Sequence, residues 1–285
     1  MKYTNKFNLP DGLARAVQND PYSKGDADFS VTELLDPPQM GALKAKHADE
    51  ITEDVSERIW SLLGQVTHGI IERAETEAIA ERRLTMTILG KKISGGMDRF
   101  CNKAGLLSDY KLTTAWKFKD GKLPEDMEIQ QNCYVHLLRV NGIEVKQSEI
   151  VGILRDWSKL EARRSIGYPQ AQVLRVPVPI WPEAKIIAYL EGRVKLHSDA
   201  REGKFESCTP DERWARPDVY AVMKEGRKTA VRLHDDAASA ERHAAELGAN
   251  HSVVKRPGES VRCSAYCSVS AFCPTYKKLN GGSGE

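Results

Sequence analysis

The chain has 285 residues, 41% hydrophobic and 29% charged, enough to bury one sizeable core and an appended lobe. Its 42 Lys and Arg against 40 Asp and Glu leave a net charge of +2, which excludes a globally basic surface and confines any nucleic-acid footprint to a local groove. The sequence shows no secretory leader, no apolar run long enough to span a bilayer and no Gly-x-x-x-x-Gly-Lys-Ser/Thr loop, so a reducing cytoplasm is expected, with no membrane contact and no helicase activity.

Residues 1–24 read as an N-terminal arm ahead of Phe29-Ser30-Val31-Thr32-Glu33-Leu34. From 49 to 83, apolar residues Ile51, Val55, Ile59, Leu62, Leu63, Val66 and Ile70 recur at helical spacing, which predicts one long helix carrying His68. Gly64 lies one turn before that histidine and Glu72 one turn after it. A neutral imidazole suits Mn²⁺ beside carboxylates, although helix histidines also serve purely structural ends.

Strands are expected across 84–113, with Asn102-Lys103-Ala104-Gly105 as a turn in which Asn and Gly accept positive φ. Folding about that turn sets Cys101 against Leu106, and therefore Asp98 against Asp109. Two carboxylates so opposed repel across roughly 5 Å, and a divalent cation between them relieves the repulsion. Lys111 shares the strand face of Asp109, and Gly96 across from it leaves room. Two acids, a lysine and a metal-sized gap suggest phosphodiester hydrolysis, while Acid-x-Lys alone also fits a solvated strand edge. After Leu123-Pro124-Glu125-Asp126, a helix over 125–141 carries Gln130 and Tyr134 at i and i+4 on one face.

Taken in order, His68, Gly-x-x-Asp98-Arg99, Asp109-Tyr110-Lys111 and Gln130-x-x-x-Tyr134 resemble the RecB-type nuclease domain of the PD-(D/E)XK superfamily. Ser30-x-Thr32-x-Leu34 is similar to the segment that often opens such domains, and 154–159 and Gly167-Tyr168-Pro169 to segments of phage-encoded members. The likeness covers roughly 25–276. It implies an α/β fold, a restriction-endonuclease-like core with a central mixed sheet flanked by helices. It also implies Mg²⁺ or Mn²⁺ held by His68, Asp98, Asp109 and the Tyr110 carbonyl, with Lys111 orienting or deprotonating the attacking water. Gln130 and Tyr134 would help position Lys111 and the DNA backbone.

Six cysteines divide unequally. Cys101 and Cys133 fall within the nuclease segments and read as buried structural thiols. Cys208, Cys263, Cys267 and Cys273 form a set whose last three are tightly spaced, which in a reducing compartment points to a metal or iron–sulfur group. The resemblance implies a [4Fe-4S] cluster on these four. Two departures from the commoner pattern, a first spacing of three and a first cysteine placed after the core, keep a structural Zn²⁺ open. Between Cys208 and Cys263, a hairpin, a helix from Asp235 to Leu247 ending at Gly248, and a strand from His251 to Lys255 predict a small ββαβ insertion over 218–258.

The expected organisation is thus an arm (1–24), a nuclease core (25–207), a cysteine lobe (208–276) and a flexible tail (277–285). Candidate DNA contacts are Arg99, Trp116, Lys117, Lys119, Arg163 and Arg164, with Arg82-Arg83, Lys91-Lys92, Trp157 and, in the insertion, Lys224, Arg227, Lys228 and Arg232 behind them. The functional expectation is a metal-dependent deoxyribonuclease, an exonuclease on single strands or duplex ends, working with replication or recombination proteins in a bacterium or phage-infected host. Two alternatives stand: a nuclease that trims DNA for CRISPR spacer acquisition, and a non-catalytic DNA-binding adaptor. Polarity, strandedness, the number of metals and the oligomeric state are not given by the sequence.

Overall fold

The computed structural model describes residues 2–20 and 23–281, and its contacts divide the chain into two compact units, Met1–Phe205 and Glu206–Glu285. The first unit begins with β1 (Lys2–Thr4), α1 (Asp11–Gln18), β2 (Phe29–Ser30), α2 (Val31–Leu35), α3 (Pro38–Lys46) and β3 (Thr52–Asp54). It continues with α4 (Ile59–Ala74), β4 (Ile79–Ile88), β5 (Lys91–Cys101), β6 (Leu106–Thr113) and α5 (Glu125–Val140). It closes with β7 (Gln147–Leu154), α6 (Lys159–Arg164), β8 (Val173–Pro177) and α7 (Glu183–Arg201).

Six strands form one mixed sheet in the order β2-β5-β6-β7-β8, with β4 on the other edge of β5. The β2–β5 and β6–β7 pairs are parallel and the rest antiparallel. Phe29, Ile93, Phe100 and Leu107 of the sheet pack with Leu137 and Leu138 of α5 and Ile186 and Leu190 of α7 in one buried cluster. Each such side chain contributes about 1.5–3 kcal/mol by leaving water. Helix α5 starts where Pro124 sets the first turn and Glu125, Asp126 and Glu128 face the positive end of its dipole. At α2, Ser30 and Glu33 complete a capping box, each side chain bonded to the other's backbone N–H.

The single helix expected over 49–83 is four elements: β3, a 3₁₀ turn, α4 and the start of β4. Asp54 takes bonds from Thr4 Oγ1, Lys6 N–H and Ser56, which holds β3 beside β1 and starts a 3₁₀ turn over Val55–Arg58. Only Ile59–Ala74 is α-helical. Beyond it Leu84, Met86 and Ile88 are buried at alternate positions, the period of a strand. Ile51 and Val55 are buried, but no residue of α4 is, and Leu63, Val66 and Ile70 are exposed. Within 1–24, Ala14 and Val17 of α1 pack on Val55, Ile59 and Leu62.

The expected hairpin register is present: Cys101 pairs with Leu106, Phe100 with Leu107 and Arg99 with Ser108. Gly105 turns the chain at φ 62°, whereas Asn102 keeps negative φ. The ladder stops there, so Asp98 and Asp109 are not a paired position and Gly96 has no strand partner across from Lys111. Strand β4 runs along one edge of β5, so β2 and β6 share the other: β2 at Ile93–Ser94 and β6 at 99–101. Residues 95–98 are left between the two partners, and the sheet opens.

The second unit contains β9 (Ala215–Arg216), β10 (Val219–Lys224), β11 (Arg232–His234), α8 (Ala237–Leu247), β12 (His251–Arg256), β13 (Glu259–Ser260), α9 (Val261–Ala265) and α10 (Pro274–Leu279). Strand β10 is central to a sheet with β11 and β12, and α8 packs on it through Ala240, Ala244, Val222 and Val253. Asp236 caps α8, and Gly248 ends it at φ 95°, a left-handed conformation that glycine adopts freely. Residues 277–279 of the expected tail belong to α10, and 282–285 lie outside the described residues. Among the described residues, no helix is long and apolar enough to cross a membrane.

Two adjacent glycines at the sheet opening behave differently. A Cβ on Gly95 would meet Leu137 Cδ2 at 2.7 Å, Tyr134 Cε1 at 2.8 Å and Val31 Cγ2 at 3.1 Å, whereas one on Gly96 would meet nothing nearer than Arg83 Nη2 at 3.8 Å. Gly95→Ala is therefore expected to destabilise the protein by about 1–3 kcal/mol through overpacking, and Gly96→Ala to leave thermal unfolding nearly unchanged.

Candidate active site

The opening along β5 forms a cleft of about 650 Å³, lined among others by Ser30, Thr32, His68, Glu81, Asp98, Asp109, Lys111, Gln130 and Tyr134. Every element near the gap supplies part of it. Helix α4 carries His68, β5 carries Asp98, β6 carries Asp109 and Lys111, and α5 carries Gln130 and Tyr134.

Asp98 takes over a role the missing ladder would have had: its Oδ2 accepts the Tyr110 backbone N–H at 2.7 Å. Burial, then the charge of Asp109, pushes its carboxyl pKa up to about 7, against the opposing pull of His68, Lys111 and that N–H. Asp109 is 2% exposed. Its Oδ2 lies 2.8 Å from Lys111 Nζ but makes no properly directed hydrogen bond. Burial disfavours the Lys111 ammonium, yet Asp109 and Asp98 outweigh it and raise the lysine's pKa. On α5, Gln130 Nε2 donates to Tyr134 Oη at 3.2 Å, so the pair acts as one unit on the cleft wall.

His68 bridges the site. Its Nε2 is 3.1 Å from the Tyr110 carbonyl oxygen, and its Nδ1 is 3.1 Å from Glu81 Oε1 and 3.5 Å from Asp98 Oδ1. The hydrogen bond it donates to Glu81 is the main reason its pKa rises to about 9; burial opposes the rise and Asp98 adds to it. Glu81 was not expected from the sequence. It stands at the position across from Asp98 in the β4–β5 register, where the ladder skips one pair, and its φ of 45° is a left-handed conformation rare for a residue with a side chain. A strand glutamate in a run of charges, Glu81-Arg82-Arg83, gives no signal by pattern; its register against Asp98 was the available clue.

These donors fit a hard divalent cation. Ligand atoms of His68, Glu81 and Asp98 lie within 4.8 Å of one another and the Tyr110 carbonyl is 3.1 Å from His68 Nε2, whereas Asp109 lines the same cleft without joining that close group. In the free protein the protonated ring donates from both nitrogens, Nδ1–H to Glu81 and Nε2–H to the Tyr110 carbonyl. Loss of the Nε2 proton would free that nitrogen for a cation while Glu81 still holds Nδ1–H, as a carboxylate fixes a ligating histidine.

Several sequence candidates lie elsewhere. Arg99 does not line the cleft: its Nε bonds Glu75 Oε2 at 2.5 Å, which ties the segment after α4 to β5. Lys92 pairs with Asp26 at 2.7 Å and Lys91 with Asp28 at 3.7 Å. Arg83 lines the cleft, its Nη1 3.3 Å from Ser94 Oγ. Trp157 is structural, its indole N–H donating to the Pro169 carbonyl. Lys117, Arg163 and Arg164 are exposed, and Trp116 stands out with Lys119 Nζ 4.9 Å from its ring.

In the second unit Cys208, Cys263, Cys267 and Cys273 lie near enough to act on one another's ionisation, although no three of their sulfurs fall within 4.8 Å of one another. Burial is the first reason that the Cys208 pKa rises to about 12, followed by Glu212 and then Cys273, Cys263 and Cys267. Cys263 is raised by burial and by Cys267 and Cys273. A thiophilic metal or cluster would have to draw the four sulfurs closer together, and its charge would hold them as thiolates. Cys133 is buried as expected, whereas Cys101, at the end of β5, is half-exposed.

Calorimetric titration of Mn²⁺ into metal-free protein checks this geometry. Affinity is expected to fall at least tenfold from pH 8 to pH 6, because protons on Asp98 below about 7 and on His68 below about 9 compete with the cation. Glu81→Ala is expected to weaken binding about 10- to 100-fold, and Glu81→Gln less, since an amide oxygen still accepts from Nδ1.

No protein-family model matches the chain, and no curated protein matches it. Among solved structures it is similar to SSO0001, at 17% identity over 65% of this chain and 84% of that one, with a TM-score of 0.44. It is also similar to a provisionally assigned exonuclease from Eubacterium rectale, at 14% identity over 57% of this chain and 62% of that one, with a TM-score of 0.31.

Proposed function

We propose that the protein is a metal-dependent DNA nuclease, acting as an exonuclease on single strands or duplex ends. The observation that carries this reading is the convergence of His68, Asp98, Asp109 and Lys111 on one open cleft, at the point where β5 changes partners. His68, Asp98, Asp109 and the Tyr110 carbonyl would hold Mg²⁺ or Mn²⁺, with Glu81 setting the histidine tautomer. When bound, the cation acidifies a coordinated water and offsets charge on the phosphate.

The protein's own groups divide the remaining work. Lys111, whose ammonium is favoured by Asp109 and Asp98, serves as a fixed positive charge that orients the water and stabilises a phosphate oxygen, rather than as a base. Gln130 and Tyr134 present an amide and a hydroxyl to the strand being cut. Ser30 and Thr32, bonded to each other at 3.0 Å, line the facing wall. In the second unit Cys208, Cys263, Cys267 and Cys273 would hold a [4Fe-4S] cluster or a structural Zn²⁺.

The test is incubation of anaerobically purified protein with end-labelled single- and double-stranded DNA and Mg²⁺ or Mn²⁺, beside Asp109→Ala and Lys111→Ala. Shortening from an end is expected, reduced about 10²-fold or more in each variant. Equal DNA binding by all three proteins without cleavage would replace the nuclease with a binding adaptor. In the same sample a cluster is expected to give visible charge-transfer absorption, and zinc a colourless protein with one equivalent of metal.

A further inference from the structure

Three of the chain's five tryptophans are exposed: Trp214 at 49% in the second unit and, in the first, the pair Trp60 at 56% and Trp116 at 60%. Neither indole N–H has a hydrogen-bond partner among the described residues, in contrast to Trp157 and Trp181, which bond Pro169 and Glu128. Each exposed ring already carries a cation: the Arg155 guanidinium sits 3.8 Å from the Trp60 centroid, and Lys119 Nζ 4.9 Å from that of Trp116. The rings are held rather than loose. Tyr168, itself buried, meets Trp116 edge-on at 6.1 Å. The Asp156 carboxylate accepts the Ala115 N–H at 2.7 Å, which locks the residue after Arg155 to the residue before Trp116.

The pair also lies beside the cleft. Trp60 immediately precedes Ser61, a cleft residue, and is two turns, about 12 Å, before His68 on α4. Trp116 follows Lys111 by five residues, just past the end of β6. The surrounding segments 115–122 and 155–164 hold seven Lys and Arg against three carboxylates, in a chain that is otherwise nearly balanced. Exposed aromatic faces interleaved with cations answer the two demands of an unpaired nucleic-acid strand, base stacking and phosphate neutralisation. Paired bases in a duplex already cover one another's faces and gain nothing from such a surface.

We infer that Trp60–Arg155 and Trp116–Lys119 form a stacking track for single-stranded DNA leading into the cleft. This rests on the nuclease reading for the identity of its occupant.

The test is fluorescence anisotropy of labelled oligothymidylate and of a blunt duplex of equal length, with the full chain in chelator so that nothing is cut. Trp60→Ala and Trp116→Ala are each expected to weaken oligothymidylate binding about tenfold, with duplex binding unchanged. Trp60→Phe and Trp116→Phe keep a stacking face and should retain most of the affinity, with thermal unfolding unmoved. Equal loss on both DNAs, no loss at all, or no binding of oligothymidylate by the wild type would overturn the track. Wild-type binding that depends on both tryptophans, but without cleavage once metal is restored, would sink the nuclease reading and leave the track standing. Cleavage with binding indifferent to them would do the reverse.

Discussion

Everything at the candidate site follows from one constraint on β5. A strand has two hydrogen-bonding edges, and β4 occupies one of them from Ile79 to Ile88. The other edge is divided between a parallel partner, β2, and an antiparallel one, β6, which cannot meet without colliding. The four residues between them are Gly95, Gly96, Met97 and Asp98. Two have no side chain, so Tyr134 and Leu137 press close on one and the cleft remains open at the other. The fourth accepts, at its carboxylate, the Tyr110 N–H that the broken ladder leaves unpaired. A buried N–H without an acceptor is rare because it is unfavourable by about 1–3 kcal/mol. Asp98 meets that need while keeping its other oxygen toward His68.

The second constraint is charge. Asp98 and Asp109 are both nearly out of water, and their mutual repulsion is relieved in the free protein by Lys111 and a protonated His68. That balance is adjustable, since the His68 proton occupies a position that a divalent cation would compete for. Glu81 belongs to the same balance, adding a third carboxylate and fixing the imidazole. Arg99 and Glu75 then anchor the end of the helix from which His68 projects, so α4, although it buries none of its own residues, keeps its place.

The second unit is built on a different economy of contacts. A three-stranded sheet and one helix enclose only a small apolar core around Val222, Ala240 and Ala244. Four cysteines brought from positions 208 to 273 would close the segment that contains this sheet, and a bound metal or cluster would then act as its staple.

Several elements were legible in the chain alone because their causes are local. Gly105 in the turn and the spacing on either side of it set the Cys101–Leu106 register. Pro124 with its acids started α5, Gly248 ended α8, and alternation in 220–223 and 229–233 marked the hairpin of the second unit. The helix over 49–83 misled because apolar residues at helical spacing cannot reveal that Asp54 bonds Thr4 and Lys6, fifty residues away, and breaks the run. For the same reason the sequence could align Asp98 with Asp109 but not foresee that the ladder ends one pair short of them. Which residues can share a cleft is therefore written in local spacing. That β5 divides its edge, that Glu81 turns to His68, and that Trp60 and Trp116 are left in water were decided by strand partners and packing distant in the chain, where no periodicity reaches.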